Sequence, residues 1–505
     1  MGIVRKQSIY SSILVYVSMF IGYINLLVLM PKYFSPDEIG MTRSILTLAV
    51  LMAGFSELGA SSILFRFLPL YQRNNSKDLI WIVFGLPLIG FLIFGFITFL
   101  LKGVFYQFYF QHSSELKSYI PLMFYLTFFT MLGSVASAFC VAHLRTIFPK
   151  AINELIPKIG NTLLIILFAF NLLSFSQYFF WFCTLTTISS ISILIYIKYF
   201  DGWNAKFKIS KLTQRVYKTM IRYGGVAILG SSFLLIILYI DTIMLGALKG
   251  QAEVAKFNIG YYIINIMSVP FAAIIAVVTP LLSSAIRHKR WDEVLRHYRQ
   301  TSLNNYIIGA FIFTLLLIVF PEMLKLMPEG LGYDSAMYIV LFLGVGRLLD
   351  MITGCNSEII ILSKYFVFNL YTIIVVSIVK VILNYYLIQS MGMKGIAISG
   401  LAVLFLFNFS RYIFIYYKLG IQPFTMNTLK AVVLSIFLGF SAWYLLNNLD
   451  LRIGSHMYIS ALIQVSIKSI IWALIFIPAV ILLKISPEVN QFYKVVVSKS
   501  RNYIR

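Results

Sequence analysis

Acidic residues are scarce in this chain. Eighteen Asp and Glu face 41 Lys and Arg over 505 residues, and charged residues of both signs make up 12% against 60% hydrophobic. That is too little polar side-chain material to clothe a water-soluble globule of this size, which leaves lipid as the solvent. Cysteine and histidine are also sparse, at three and five. Cys140, Cys183 and Cys355 have no CxxC spacing, so a disulfide framework and a zinc site are excluded and the three read as small core residues. The chain has no HExxH, no Gly-rich phosphate loop closed by Lys-Ser/Thr and no nucleophile elbow. Gly344-Val345-Gly346 lies in an apolar run without the strand-to-helix setting of a dinucleotide site. Neither an enzyme nor a bound cofactor or metal is expected.

What is present is a succession of long apolar runs. A bilayer core of about 30 Å needs roughly 20 apolar residues per helix. Fourteen runs meet that length, at about 10–33, 40–67, 79–101, 119–144, 151–172 and 175–198, then 222–246, 255–285, 299–321, 333–362, 365–388, 394–418, 427–448 and 458–483. The expected fold is an all-α, polytopic membrane protein. No cleavable signal is expected, because Arg5 and Lys6 precede an apolar run too long for one and without a small-residue cleavage site.

A net charge of +23 invites nucleic-acid binding, but the basic residues are spread over the breaks between spans instead of being gathered on a soluble face. About 29 of the Lys and Arg fall on the N-terminal side of the membrane, about 9 on the other and about 3 well inside spans, which places both termini in the cytoplasm. The peaks are the linker Lys198, Lys206, Lys208, Lys211, Arg215, Lys218 and Arg222, and the loop Arg287, Lys289, Arg290, Arg296 and Arg299. Both read as topogenic charge with attraction to anionic headgroups. The Asn74-Asn75-Ser76 sequon lies on that side and has no glycosylation meaning.

The joint between the first two spans reads Tyr23-Ile24-Asn25, Leu29, Asp37-Glu38, and that between the seventh and eighth reads Tyr239-Ile240-Asp241, Leu245, Glu253. The triplets are 216 residues apart and the glutamates 215, so the copies differ by one residue between these points. Six spans per copy keep both copies in the same orientation, related by an axis along the membrane normal. The expected organisation is a first lobe over 1–200, a basic cytoplasmic linker over 201–221, a second lobe over 222–420, and an appended helix pair with a cytoplasmic tail over 421–505.

The motifs along these spans resemble a known family. Glu57-Leu58-Gly59 followed by Arg66-Phe67-Leu68-Pro69, Asp241-Thr242-Ile243-Met244-Leu245-Gly246, and Asn384 with Leu387, Ile388, Gly392, Gly395 and Ile396-Ala397 are similar, in order and spacing, to signatures of polysaccharide-exporting flippases, including O-antigen flippases. The pattern departs at Gln389, where many members carry proline. This family belongs to the superfamily that also holds multidrug and toxin extrusion transporters. The resemblance implies two six-helix bundles in a V, alternating access, and an undecaprenyl-pyrophosphate-linked glycan carried across a bacterial inner membrane. It also implies membrane lipids and a glycan polymerase or glycosyltransferases of the same pathway as partners, with coupling to a proton or sodium ion left open.

A charge at the centre of a span costs about 2.5–3.5 kcal/mol on insertion scales unless a partner or water answers it. Eight such residues stand out: Arg43, Arg347, Lys380 and Lys468, and Glu57, Asp241, Asp350 and Glu358. Projected at 100° per residue, Arg347, Asp350 and Glu358 fall within an arc of about 80°. Two readings stand for them: Arg347 meets a pyrophosphate beside a coupling Asp350, or the two form an internal pair at i, i+3. Lys380, midway along its span, is a candidate substrate cation or half of a buried pair. Arg43 is a candidate substrate contact or a snorkelling side chain, and Arg66 shares the ambiguity. Asp241, whose repeat partner is Asn25, suits cation coupling or a structural hydrogen bond, and Glu57 beside Gly59 and Ser61 suits a cap on a broken helix. Lys468 reads as a pairing or snorkelling group, or one near a lipid-facing opening. Gly224, Gly225, Gly230, Pro270 and Pro280 are candidate bend positions. With four charges of each sign, cavity polarity does not separate a flippase from its rivals: a multidrug or cation antiporter, a lipid II flippase, or a scaffold without transport.

Overall fold

In hydrocarbon a backbone amide has no water to bond, so a spanning segment must satisfy its own N–H and C=O groups, and a helix does so within one segment. The computed structural model describes residues 14–103, 113–201, 209–448 and 457–491. Arg5, Lys6, Lys206 and Lys208 and the end of the tail lie outside them. Helices α1 (Leu14–Tyr33), α2 (Pro36–Ser56), α3 (Ala60–Arg73), α4 (Leu79–Leu100), α5 (Ile120–Ala142), α6 (Ile147–Ala169) and α7 (Phe175–Asp201) come first. They are followed by α8 (Lys211–Lys249), α9 (Gln251–Asn265), α10 (Ser268–Arg287), α11 (Trp291–Leu324), α12 (Ala336–Ile352), α13 (Asn356–Leu362), α14 (Phe366–Met391), α15 (Met393–Leu419), α16 (Met426–Asn447) and α17 (Met457–Leu482). Among the described residues there is no strand, and 14 helices are long and apolar enough to cross a membrane. They correspond one to one with the runs read from hydropathy.

Three of those runs are interrupted. The second is α2 plus α3, broken where Leu58 (φ 47°) and Gly59 (φ 73°) turn left-handed. A Cβ on Gly59 would also lie 3.0 Å from the Gly224 carbonyl oxygen, so both conformation and space require glycine there. The tenth run is α12 plus α13, broken at Gly354 (φ 57°), where a Cβ would stand 2.7 Å from the Ser302 amide nitrogen. The eighth is α9 plus α10. By contrast α8 runs unbroken through Gly224, Gly225 and Gly230. The start of α2 is set by a capping box: Ser35 Oγ accepts from the Glu38 amide at 3.3 Å, and the Ser35 amide donates to Glu38 Oε2 at 2.8 Å, with Pro36 at the first position.

The described chain forms two compact units, residues 1–258 and 259–505. In the first, α2 packs on α4, α5 and α8, while α7 packs on α5 and α6. One core in it gathers Leu64, Phe67, Val83, Val135, Phe139 and Ile197. The joint ahead of α8 is tied down by Asp78, whose Oδ2 accepts from the Ser210 amide at 2.9 Å and from Thr213 Oγ1 at 2.6 Å; Thr213 also bonds the Tyr71 hydroxyl at 2.6 Å. In the second unit α11 is central and packs on α10, α12, α16 and α17. The terminal pair α16 and α17 is therefore part of that unit's core: Trp472 Nε1 donates to the Phe311 carbonyl at 3.0 Å and the Tyr306 hydroxyl meets Ser435 Oγ at 2.7 Å. Lys468, 1% exposed, donates to Glu322 Oε1 at 2.8 Å, and Lys325 meets the other carboxylate oxygen at 2.6 Å. Lys468 thus has the pairing role among those read for it. Cys140, Cys183 and Cys355 are fully buried.

The latch on Asp78 gives a pH signature. Burial alone would raise its carboxyl, but the Thr213 and Ser210 hydrogen bonds outweigh that and hold it below the ordinary carboxylate range. A depressed carboxylate stabilises the fold above its unfolded value of about 3.9 and loses that contribution as pH falls through the folded value. Asp78→Ala is expected to be less stable than the parent by about 1–3 kcal/mol at neutral pH. The gap in melting temperature of the purified protein should narrow below about pH 4. A gap independent of pH would remove the charged latch from the account.

Candidate functional site

Each unit carries its own polar node. In the first, α1 passes through a π-helical turn over Ile24–Leu29, in which the Met30 amide bonds back to the Asn25 carbonyl. Asn25, 2% exposed, sits at this turn. Its Nδ2 donates to the Lys158 carbonyl at 2.9 Å and its Oδ1 accepts from Thr162 Oγ1 at 2.8 Å. One turn along the same seam, Lys158 Nζ donates to Glu154 Oε2 at 2.7 Å and to Ser18 Oγ at 3.0 Å. The seam between α1 and α6 is therefore lined by a buried amide and an ion pair. Arg43 on α2 is partly buried, with Nη2 4.0 Å from Met30 Sδ. Gln251, 4% exposed, joins Ser44 at 2.6 Å and Ser113 at 2.8 Å.

The second node surrounds the break at Gly354. Arg347 Nη1 lies 3.8 Å from Asp350 Oδ2, so the pair read at i, i+3 is present, and both side chains keep part of their surface open, 24% and 21%. Arg411 on α15 is 6% exposed and lies within electrostatic reach of both Asp350 and Glu358. Its Nη2 donates to Asn369 Oδ1 at 2.6 Å and its guanidinium lies 3.6 Å from the Phe407 ring centroid. Glu358 Oε2 is buried with no hydrogen-bond partner among the described residues. Asn408 Oδ1 accepts from Thr353 Oγ1 at 3.0 Å and Asn356 Nδ2 at 3.1 Å, holding the loose end of α12 to α13 and α15. Two arginines and two carboxylates thus meet where the backbone is interrupted. An external anion that bonds an arginine here in place of a carboxylate keeps the group neutral only if the displaced carboxylate takes up a proton, and a proton or cation that replaces an arginine at a carboxylate requires an anion to answer the freed arginine.

The sequence-derived candidates are therefore placed as follows. Arg347, Asp350 and Glu358 share one node, although the continuous helix assumed in projecting them does not exist: Gly354 breaks it, so Glu358 rides on α13. Lys380 is buried, 6% exposed, on a face of α14 that it shares with buried Ser377 and Asn384. Glu57 accepts from Ser61 Oγ at 2.8 Å beside the break at Gly59; this is a side-chain bond, and the start of α3 carries no side-chain cap. Asp241 is buried on α8, 5% exposed. Arg66 is exposed and stacks 4.2 Å from the Tyr223 ring centroid. Arg411 and Glu154 were missed because each lies about two turns from a span end, where hydropathy reads charge as interfacial; Lys158 is at the midpoint of α6, and the run read from hydropathy, starting at 151, put it only two turns in. The available signals were Asn408 with Arg411 at i, i+3 and Glu154 with Lys158 at i, i+4 on otherwise apolar helices.

The family model for polysaccharide biosynthesis proteins matches residues 4–286. No curated protein sequence matches at a significant level. Among solved structures, the chain is similar to a lipid II flippase MurJ in an inward closed conformation, with a TM-score of 0.71 at 14% identity over 94% of this chain and 100% of that one. It is also similar to a multidrug resistance MATE family transporter of the MOP superfamily in an inward-facing conformation, with a TM-score of 0.64 at 13% identity over 81% and 94%. A third likeness is to the Vibrio cholerae MATE transporter VcmN, with a TM-score of 0.56 at 12% identity over 82% and 95%. At these identities the likenesses establish the fold, that of a membrane transporter or flippase.

Arg411→Ala removes a cation from two carboxylates and is expected to cost about 3–5 kcal/mol, the usual penalty for leaving a buried charge unanswered. Adding Glu358→Gln should recover much of the lost melting temperature. Recovery absent from the double variant, or a single variant as stable as the parent, would show that Arg411 does not balance this node.

Proposed function

The chain belongs to the polysaccharide biosynthesis protein family, and from that premise we propose that it is a flippase for an anionic lipid-linked oligosaccharide. Its cargo on this reading is an undecaprenyl-pyrophosphate-linked glycan, moved by alternating access across a bacterial inner membrane, with both termini in the cytoplasm. The family match is the observation that carries the reading. Cations within the spans support it, because a pyrophosphate drawn into a helical bundle needs basic partners: Arg347 and Lys380 in the second unit and Arg43 in the first take that role. Asp241, Asp350, Glu358 and Glu57 serve coupling or structure. The six-plus-six-plus-two organisation, with lobes over 1–200 and 222–420, a linker over 201–221 and the remainder over 421–505, is part of the same proposal. An inside-negative potential favours outward movement of a negative headgroup by about 2.3 kcal/mol per charge per 100 mV, so a coupling ion is permitted but not required. A glycan polymerase and glycosyltransferases are the pathway partners of this reading.

One observation favours a second reading. Asp350 and Glu358 share Arg411, and a carboxylate pair beside one arginine suits proton or sodium coupling in a cation antiporter, a function hosted by folds of this kind. Lipid II is the third cargo compatible with the fold.

Deleting the gene separates these readings. Loss of a surface glycan with accumulation of its lipid-linked precursor is the expected result, and restoration by Arg347→Ala or Lys380→Ala should be about tenfold weaker at equal protein level, since each removes a hydrogen bond to a charged group. Intact glycans with new sensitivity to cationic drugs would instead establish the antiporter, and a failure confined to cell-wall precursor export would establish lipid II.

A further inference from the structure

The first unit contains an apolar recess of about 540 Å³ between α2, α4, α5 and α8, walled by residues including Leu51, Met52, Phe94, Phe124 and Ile240. Its volume falls within the range of small-molecule sites, about 300–1,000 Å³. A hollow of that size left empty forfeits the dispersion contacts of every side chain around it. Inside a bilayer the material at hand to fill it is hydrocarbon. The lining offers little to anything else: the Thr98 hydroxyl is already committed to the Phe94 carbonyl at 2.7 Å. One lining residue is charged. Lys102 stands just past the end of α4, its Nζ 4.9 Å from the Phe99 ring centroid. It lies on the face that carries about 9 of the basic residues and so lacks a topogenic reason to be there.

We infer that this recess binds an anionic phospholipid, with one acyl chain between α2, α4, α5 and α8 and the headgroup phosphate on Lys102. An ammonium at the mouth of a hydrocarbon slot fits a single negative phosphate at the depth where α4 leaves the membrane, and each such basic residue favours anionic over neutral lipid severalfold. The inference does not depend on the glycan cargo, so either can fail while the other stands.

The full chain, reconstituted in phosphatidylcholine vesicles, is exposed to phosphatidylglycerol or phosphatidylcholine carrying the same acyl-chain diazirine, then irradiated, and the labelled peptides are mapped. Labelling should concentrate on residues 94–102 and 120–124, about fivefold higher with the anionic probe. Lys102→Ala should abolish that preference, and Leu51→Trp, which fills the slot, should abolish labelling there by both probes. Equal labelling by the two probes in the parent, or an unchanged preference in Lys102→Ala, would overturn the inference. So would protection of these peptides by a polyprenyl phosphate but not by unlabelled phosphatidylglycerol, since the occupant would then be the carrier lipid. If Leu51→Trp does not fold, as judged by its melting curve, Lys102→Ala still decides the question.

Discussion

An ionised side chain withdrawn from water must be answered by another charge or by several hydrogen bonds, and most of what is distinctive in this bundle follows from that requirement. An isolated buried ion carries a penalty of several kcal/mol, comparable to the whole stability of many domains. Here Lys468 is held by Glu322, Lys158 by Glu154, and Arg347 by Asp350, with Arg411 between two carboxylates. Two of these join different helices and so bear on packing: Lys468 draws α17 onto α11, and Arg411 keeps α15 beside the break after α12.

The pairs differ in how completely they close. Lys468 and Glu322 are buried on both sides and act as a fastening. Arg347 and Asp350 sit 3.8 Å apart with about a fifth to a quarter of each side chain open. A loosely made pair with access is one that an incoming charge can enter, whereas a tight dry pair is not. The Gly354 break adds to this, since an interrupted helix presents backbone groups that a continuous one would consume.

The fourteen spans were legible because hydrocarbon thickness imposes a length and an apolar composition on every one of them, and that signal survives without any knowledge of tertiary contacts. The break at Gly59 was legible only as one reading of Glu57, and the one between α9 and α10 only through the nearby Pro270. The break at Gly354 was not legible, because averaging hydropathy over a span erases a two-residue change of backbone conformation. The same break limits the helical projection: Arg347 and Asp350 share a helix and pair as their spacing says, whereas Glu358 reaches the node from α13. Lys468 was legible as a charge needing an answer, but Glu322, 146 residues away, was not legible as that answer. Pairing between distant helices is a property of the packed bundle, and a single sequence carries no direct trace of it.

The π turn in α1 bears on how the two copies of the repeat are phased. A π turn closes by a bond to the fifth residue instead of the fourth. Leu29 and Leu245 keep the 216-residue offset of Asn25 and Asp241, and the offset falls to 215 only by Glu38 and Glu253, so the extra residue of the first copy lies after the turn. The first copy therefore makes its π turn with the same number of residues that α8 winds as regular α-helix. A wider turn with no residue added sets back all that follows by about one residue's rotation, roughly 100°. On the repeat reading, the side chains after Leu29 leave the helix in another direction from those after Leu245, and the one residue gained before Glu38 falls in the stretch that joins this rephased end to the next helix.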